Sequence, residues 1–244
     1  MGDAIYNHGY SMMDDLVGYK SFYQVLLLNI TGRMPDKRLA DWIEASCICL
    51  SWPDPRIWCN KIGTFAGSMR CSPVVGVSMG ILASDSRMYA AGAVKPGASF
   101  IVQALKKNKN GRSVLDIIED ELQHKTAIMG FKRPLATGDE RIPPLERTSK
   151  ALGFGIGEHL ELAYEIDNKL QHHYKESMNV LGYCVAFLSD QGLTPDEIAR
   201  TYSTWVHSGV HACYAEAYDN PPESFLPLRC NDIDYQGKPM RQIP

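Results

Sequence analysis

Hydrophobic positions recur at helical spacing along most of the chain. "PDKRLADWIEASCICLSW" places apolar residues at Leu39, Trp42, Ile43 and Ile48, a spacing that suits one face of a helix. "SVLDIIEDELQHKTAIMG" and "LERTSKALGFGIGEHLELAYEIDNKLQHHY" are also amphipathic. "SPVVGVSMGILASDSRMY" is almost wholly apolar and rich in small residues, which predicts a buried helix with closely packed neighbours. With no convincing strand run and no internal repeat, the sequence predicts an all-α fold.

Capping signals mark where two of these helices begin. Ser21 precedes Gln24 by three residues, which is the spacing of a capping box, and Gly32 lies just past the predicted end of that helix. The stretch "TPDEIARTYSTWVHSGVHACYAEAY" opens with Thr194 as the cap, a proline in the first turn and Glu197 at the third position.

A loop rich in glycine and proline at 130–144 divides the pattern and is a plausible hinge. It predicts a large helical domain formed by 1–129 and 217–244, and a smaller helical lobe formed by 130–216. The final stretch, "NPPESFLPLRCNDIDYQGKPMRQIP", is typical of an extended tail on the large domain.

Composition narrows the class of protein. The 244 residues are 45% hydrophobic and 22% charged with a net charge of −3, which is ordinary globular composition and favours no nucleic-acid partner. No stretch approaches the roughly 18 apolar residues that cross a membrane. The opening residues are too polar for a secretory signal. We therefore expect a cytoplasmic protein.

Cysteine and histidine usage favours structural roles. The cysteines form an odd set of seven without a CxxC pair, which predicts neither a disulfide framework nor a zinc site: Cys47, Cys49, Cys59, Cys71, Cys184, Cys213 and Cys230. His207 and His211 share one helix face, but no third ligand has supporting spacing, so we expect no metal.

One loop stands out as a binding element. "GFKRPLATGDERIPPL" gathers Lys132, Arg133 and Arg141 around a sharp turn. Such cations suit phosphate or carboxylate oxygens. The alternative is a solvated loop in which Lys132 and Arg133 pair with Asp139 and Glu140 and bind nothing, since exposed pairs contribute only about 0–1 kcal/mol.

Five segments in order resemble the citrate synthase family, in particular its short members that are similar to citryl-CoA lyase or to bacterial synthases. They are "NHGYSMMDDLVGYKSFYQVLLLNITGRMPDKR", "PVVGVSMGILASDSRMYAAGAVKPGASF", "GFKRPLATGDERIPPL", "NVLGYCVAFLSDQGLTPDEI" and "DYQGKPMRQIP". The resemblance implies a citrate-synthase-like all-α fold, coenzyme A as part of an acyl-CoA substrate or product, and a homodimer with an intertwined C-terminal tail. It also implies a CoA-side loop, formed by Gly130, Phe131, Gly138, Asp139 and Arg141.

The catalytic positions implied by the resemblance carry other residues. Lys95 lies where the first family histidine would be, and Lys132 or Arg133 takes the place of the second. Leu181 occupies the position of the family's aspartate base. Gly209 stands where a carboxylate-binding arginine is expected. The expected catalytic groups are therefore Lys95, Lys132 and Arg133.

Four further residues are expected to contact the substrate. Asn179 and Tyr183 flank the lost aspartate position and would face the cleft, where they could donate hydrogen bonds. His207 and His211 complete the predicted substrate-binding set.

Two classes of function remain open. One is an enzyme that forms or cleaves a C–C bond next to a CoA thioester on a non-standard substrate, for example by retro-aldol or retro-Claisen cleavage. The other is a non-catalytic acyl-CoA-binding or regulatory paralogue. Acyl-CoA hydrolysis is a further possibility. The missing base favours the second class, whereas replacement of histidines by cations favours the first.

Overall fold

The computed structural model describes residues 5–86, 90–125, 127–133 and 138–222, together with 234, 236, 237 and 239. The fold class is all-α, as predicted. Its helices are α1 (Phe22–Thr31), α2 (Lys37–Leu50), α3 (Trp58–Ser68), α4 (Pro73–Ala83), α5 (Ala91–Lys109), α6 (Val114–His124), α7 (Ile142–Ala151), α8 (Glu158–Tyr174), α9 (Val180–Asp190), α10 (Pro195–Thr201) and α11 (His207–Asp219).

A small hairpin near the N-terminus departs from the all-helical pattern. Strand β1 (Tyr6–Asn7) pairs antiparallel with β2 (Tyr10–Ser11), and a π-helical turn, Met12–Leu16, follows. Strands of two residues carry too little alternation to be detected in a sequence.

The predicted helix starts are confirmed. Ser21 forms a complete capping box with Gln24, and Gly32 ends α1 in the left-handed region with φ of 71°. Thr194 forms the same box with Glu197 at the start of α10.

Helix α9 is the centre of the core. Every residue from Val180 to Ser189 is buried, and α5, α8 and α10 pack around it. The indole of Trp42 on α2 stacks on the ring of Phe187 on α9, with ring centroids 3.8 Å apart. A helix that is apolar on all sides is stable only when other helices enclose it.

The remaining helices form a second group. α3, α4 and α11 pack against one another, and a Cβ at Gly76 would lie 2.5 Å from the ring of Tyr214. Glycines on α4 thus admit α11 at close range, as the small residues of this stretch predicted. Among the described residues, no helix is long and apolar enough to cross a membrane.

The expectation that α4 is a buried helix is wrong for most of its residues. Only Gly76, Val77 and Gly80 of α4 are buried, whereas Val74 and Leu82 are 77% and 75% exposed. Ile48 is 74% exposed on α2. Apolar residues at helical spacing indicate a helix face with little affinity for water. Whether another part of the chain covers that face depends on which helices pack beside it.

The division into two lobes stays a prediction. The predicted boundary at 216/217 falls inside α11, which packs along α3 and α4 as one unbroken helix.

Substitution of Gly182 should test how closely the 130s loop meets α9. A Cβ at this position would lie 2.3 Å from the carbonyl oxygen of Gly130. Because backbone must move to accommodate it, Gly182→Ala should lower the free energy of unfolding by about 1–3 kcal/mol. Gly155→Ala is the matched control, since nothing lies within 4 Å of its Cβ. Urea unfolding of both variants measures the difference, and equal stabilities would contradict the close approach.

Candidate functional site

An open cleft with a volume of about 780 Å³ lies where α1, α2, α10 and α11 converge. Its floor includes the segment 51–53 that follows α2, and Ile81 of α4 contributes to one wall. The described residues that line it are Phe22, Tyr23, Leu26, Glu44, Cys47, Ile48, Cys49, Ser51, Trp52, Pro53, Ile81, Arg141, Thr201, Thr204, Trp205, His207 and Ser208.

Arg141 supplies the guanidinium of the cleft. Its Nε and Nη2 donate to the two carboxylate oxygens of Asp139 at 2.8 and 2.7 Å. The side chain of Asp139 is fully buried, and its Oδ2 also accepts the amide of Val180 at 2.8 Å. The bidentate pair therefore anchors Arg141 to the first residue of α9, which restricts the guanidinium to one orientation at the cleft wall.

Electrostatics keep this pair ionised. Burial by itself raises the pKa of Asp139, but the hydrogen bonds from Arg141 and from the Val180 amide outweigh it and lower that pKa below its usual value. Burial by itself lowers the pKa of Arg141, and the bonds to Asp139 reverse this and raise it. The guanidinium is thus a permanent positive charge.

The two thiols and the phenol of the cleft are neutral at pH 7. Burial raises the pKa of the Cys47 thiol to about 11, and it also raises the pKa values of Cys49 and Tyr23. Neither thiol is a thiolate at neutral pH, so neither is activated as a nucleophile. Glu44 is the one carboxylate among the described lining residues.

The N-terminus of α11 lies at the same wall. His207 and Ser208 open this helix, and its cap residue, Val206, makes no side-chain hydrogen bond. Trp205 is 8% exposed, and its indole Nε1 has no hydrogen-bond partner within the described part of the chain. That indole nitrogen is enclosed, and the amides of His207 and Gly209 donate to the carbonyl of Thr204 and to Ser51 Oγ, so these groups are not free to bind a ligand in the cleft.

The predicted catalytic cations do not line this cleft; each is bonded to a carboxylate elsewhere. Lys95 lies inside α5, is exposed, and pairs with Asp196 at 2.6 Å. Lys132 pairs with Glu176 at 2.8 Å.

Arg133 likewise forms an ion pair with Glu140, and its Nη1 also donates to the carbonyl of Gly138 at 3.3 Å. Paired surface cations were the alternative interpretation of this loop. The structure places both Lys132 and Arg133 in such pairs, with Glu176 in place of Asp139 as the partner of Lys132.

Among the five predicted CoA-loop residues, only Arg141 reaches the cleft. Gly130 is buried with φ of 93°, and its carbonyl accepts the amide of Asn179 at 2.9 Å. Phe131 is 2% exposed and packs edge to face on Phe100. The amide of Gly138 donates to Ser177 Oγ at 2.6 Å. Residues 134–137 lie outside the described part of the chain.

Two substrate-binding expectations require correction. Tyr183 is 1% exposed and shares a buried hydrogen bond of 3.0 Å with Ser149, so it does not face the cleft. Asn179 caps α9, because its Oδ1 accepts the amides of Leu181 and Gly182. Both side chains are occupied by bonds that hold the fold together.

His207 lines the cleft, and its ring contacts that of His211 with centroids 5.4 Å apart. Substrate binding by these two histidines stays a prediction. In the described residues, no three His, Cys, Asp or Glu side chains are placed to hold a metal ion.

Sequence reasoning missed Glu44, Cys47 and Ile48 as site residues. They lie on α2 at positions i, i+3 and i+4, which places them on one helix face. Residues at this spacing share a helix face, which can line a cleft. The same spacing is found where a helix face packs into the core, so it did not identify these residues as part of a site.

Solved structures share this architecture. Citryl-CoA lyase from Hydrogenobacter thermophilus is 26% identical with a TM-score of 0.84, covering 100% of this chain and 94% of that one. This similarity over the full chain supports a citrate synthase-like family member.

More distant structures share the fold of this citrate-synthase-like chain. ATP citrate lyase from Methanothrix soehngenii, solved with citrate and coenzyme A, is 16% identical over 95% of this chain and 39% of that one, with a TM-score of 0.75. Citrate synthase from Thermotoga maritima is 17% identical over 92% and 60%, with a TM-score of 0.67. No family model and no curated protein matches the sequence.

Asp139→Asn and Glu140→Gln should show that the buried ion pair of Arg141 stabilises the fold more than the exposed ion pair of Arg133 does. It leaves the guanidinium of Arg141 without its counter-charge, so the free energy of unfolding at pH 7 should fall by about 3–5 kcal/mol. Glu140→Gln, which removes the exposed partner of Arg133, should cost less than about 1 kcal/mol. Denaturant unfolding followed by tryptophan fluorescence measures both.

Lowering the pH should weaken the ion pair between Asp139 and Arg141. The folded pKa of Asp139 lies below its unfolded value of about 3.9, so its ionised form stabilises the fold above that pH. This stabilisation is lost as the pH falls from about 4 through the folded pKa. Asp139→Asn should therefore show a shallower loss of stability than wild type below about pH 4. Parallel acid profiles would show that Asp139 is not the group responsible.

Proposed function

We propose that this citrate-synthase-like protein binds a CoA thioester and makes or breaks the C–C bond next to the thioester group, as a lyase or synthase. The observation that carries the proposal is Arg141, a guanidinium anchored by a buried carboxylate at the wall of a cleft. The similarity to citryl-CoA lyase over the full chain supports the reaction class. ATP citrate lyase, which shares the fold, holds both citrate and coenzyme A.

In this proposal Arg141 binds a free carboxylate of the acyl group. Cleavage of a β-hydroxyacyl thioester requires three events: loss of the hydroxyl proton to a base, breakage of the Cα–Cβ bond to give a carbonyl, and protonation of the thioester enolate. Glu44 is a candidate base, since it is the carboxylate on the cleft wall. The Leu at 181 supplies no base, so the chemistry must differ from an aspartate-driven enolisation.

A non-catalytic acyl-CoA-binding protein is the second candidate. Lys95, Lys132 and Arg133 are each bonded to a surface carboxylate, and this favours binding without turnover. For these three to act as catalytic groups, as the family resemblance implies, their ion pairs must open when the ligand binds.

Lys95→Ala tests that role directly. If Lys95 is catalytic, the variant should lose turnover of a CoA thioester while its affinity for CoA stays within about twofold. Lys109→Ala is the matched control, because Lys109 also lies on α5 and pairs with an exposed carboxylate, Glu158, at 2.6 Å. Mass spectrometry of acyl-CoA mixtures reports cleavage or condensation, and calorimetry reports CoA affinity.

The outcomes separate the two candidate functions. Turnover in wild type that Lys95→Ala loses and Lys109→Ala keeps supports a catalytic Lys95. Turnover retained by both variants removes Lys95 from the mechanism. CoA binding without any mass change favours the non-catalytic protein, and absence of CoA binding would overturn both.

We also propose a homodimer, in which the exposed face of α4 meets its copy. This α4 outer face consists of Val74, Val75, Met79 and Leu82, all exposed on one side of the helix. Monomeric proteins rarely leave a contiguous apolar face in water. The predicted contribution of the C-terminal tail concerns residues that lie mostly outside the described part of the chain.

Leu82→Glu should therefore convert the protein to a monomer in sedimentation-velocity experiments at micromolar concentration. A charge buried at a symmetric interface meets its own copy and has no partner. Ile156→Glu is the control, since Ile156 is 69% exposed and lies on the segment between α7 and α8. An unchanged mass for Leu82→Glu, or an equal effect of Ile156→Glu, would contradict this interface.

A further inference from the structure

The walls of the cleft are apolar to a degree that does not suit a small polyanion. Phe22 and Ile48 are each 74% exposed, and Trp52 is 50% exposed. Leu26 and Ile81 contribute further apolar surface. These side chains stand in water at the cleft walls, so a ligand that covers them gains the free energy of apolar burial.

The polar groups of the cleft match one negative charge. Arg141 is the guanidinium among the described lining residues, and no lysine accompanies it. The other polar side chains of this lining, apart from Glu44, are hydroxyls, thiols, indoles and the imidazole of His207. Glu44 is negative and would repel additional carboxylates.

A tricarboxylate would fit these groups poorly. One carboxylate could pair with Arg141, but the others would lose water beside Glu44 and the apolar walls without gaining a second guanidinium or an ammonium group. Burial of an unpaired charge is costly. A single carboxylate at one end of a hydrocarbon or aromatic body would instead satisfy Arg141 and cover the exposed apolar side chains.

We infer that the acyl group bound here carries one free carboxylate on an apolar body, and that it is not a citrate-like polyanion. This inference rests on the proposed function for the identity of the thioester, but the acyl pocket can be tested without coenzyme A.

The first test compares free acids by calorimetry. Octanoate should bind at least about tenfold more tightly than citrate, because its chain covers the apolar walls and its one charge pairs with Arg141. Octanamide, which has the same chain without the charge, should bind at least about tenfold more weakly than octanoate. Equal or tighter binding of citrate would overturn the inference, and so would equal binding of octanoate and octanamide.

Variants locate the binding. Ile48→Glu should weaken octanoate binding by about tenfold or more, since it places a second negative charge on the apolar wall. The matched control, Ile156→Glu, introduces the same charge on an equally exposed residue away from the cleft and should change the affinity by less than about twofold. An equal effect of the two variants would show that octanoate binds elsewhere and would overturn the inference.

Arg141 requires a paired substitution. Arg141→Met alone removes the bidentate partner of the buried Asp139 carboxylate and leaves it only the Nη1 of Arg133 at 3.9 Å, so this variant is expected to be strongly destabilised. Arg141→Met combined with Asp139→Asn removes both charges, and the new amide oxygen can still accept the Val180 amide. This double variant should fold, should bind octanoate at least about tenfold more weakly than wild type, and should bind octanamide as wild type does. Octanoate binding equal to that of wild type would overturn the role of Arg141.

Binding of coenzyme A, measured separately, distinguishes this inference from the proposed function. Absence of CoA binding with the octanoate preference intact would overturn the proposed function and support the acyl pocket. Binding of CoA with a preference for citrate would do the reverse. If Ile48→Glu changes the sedimentation coefficient instead of the octanoate affinity, the wall is an interface between copies and the inference fails.

Discussion

The carboxylate of Asp139 is the contact on which the rest of the site depends. It is fully buried and accepts bonds from Arg141 and from the first amide of α9. A buried charge is tolerated only when it is paired and hydrogen-bonded. One side chain therefore anchors the loop after residue 138 to the N-terminus of the central helix and holds a guanidinium at the cleft.

Backbone proximity at two glycines makes this contact possible. Gly130 adopts a positive φ, and its carbonyl lies where a side chain on Gly182 would be. The loop can reach α9 because neither residue carries a Cβ at that point. Asn179 also joins the loop to α9. Its side-chain Oδ1 caps the helix, and its side-chain Nδ2 donates to the carbonyl of Lys132 at 2.7 Å. Loop and helix thus form one unit around an enclosed core.

For this protein, the fold supports a reaction class, whereas the side chains of the cleft indicate the substrate. The architecture matches citryl-CoA lyase over the whole chain, which supports a role in CoA-thioester chemistry. The substrate must be deduced from the cleft itself, because one fold can host different chemistries when its site residues change. Among the described lining residues, one guanidinium stands beside exposed apolar side chains, and that composition is the basis for an apolar acyl group with one free carboxylate.

The helical class, the capped starts of α1 and α10, and the resemblance to the citrate synthase family could all be predicted from the sequence. These features depend on residues close together in the chain, such as Ser21 with Gln24 or Thr194 with Glu197, or on the order of motifs. Which cation lines the cleft, and which cations form ion pairs away from it, depended on the packing of distant segments. Lys95 meets Asp196 across about a hundred residues of chain, Tyr183 is buried against Ser149, and Ile48 is left uncovered. Residues far apart in the chain make these pairings, and local spacing carries no information about which of them will meet.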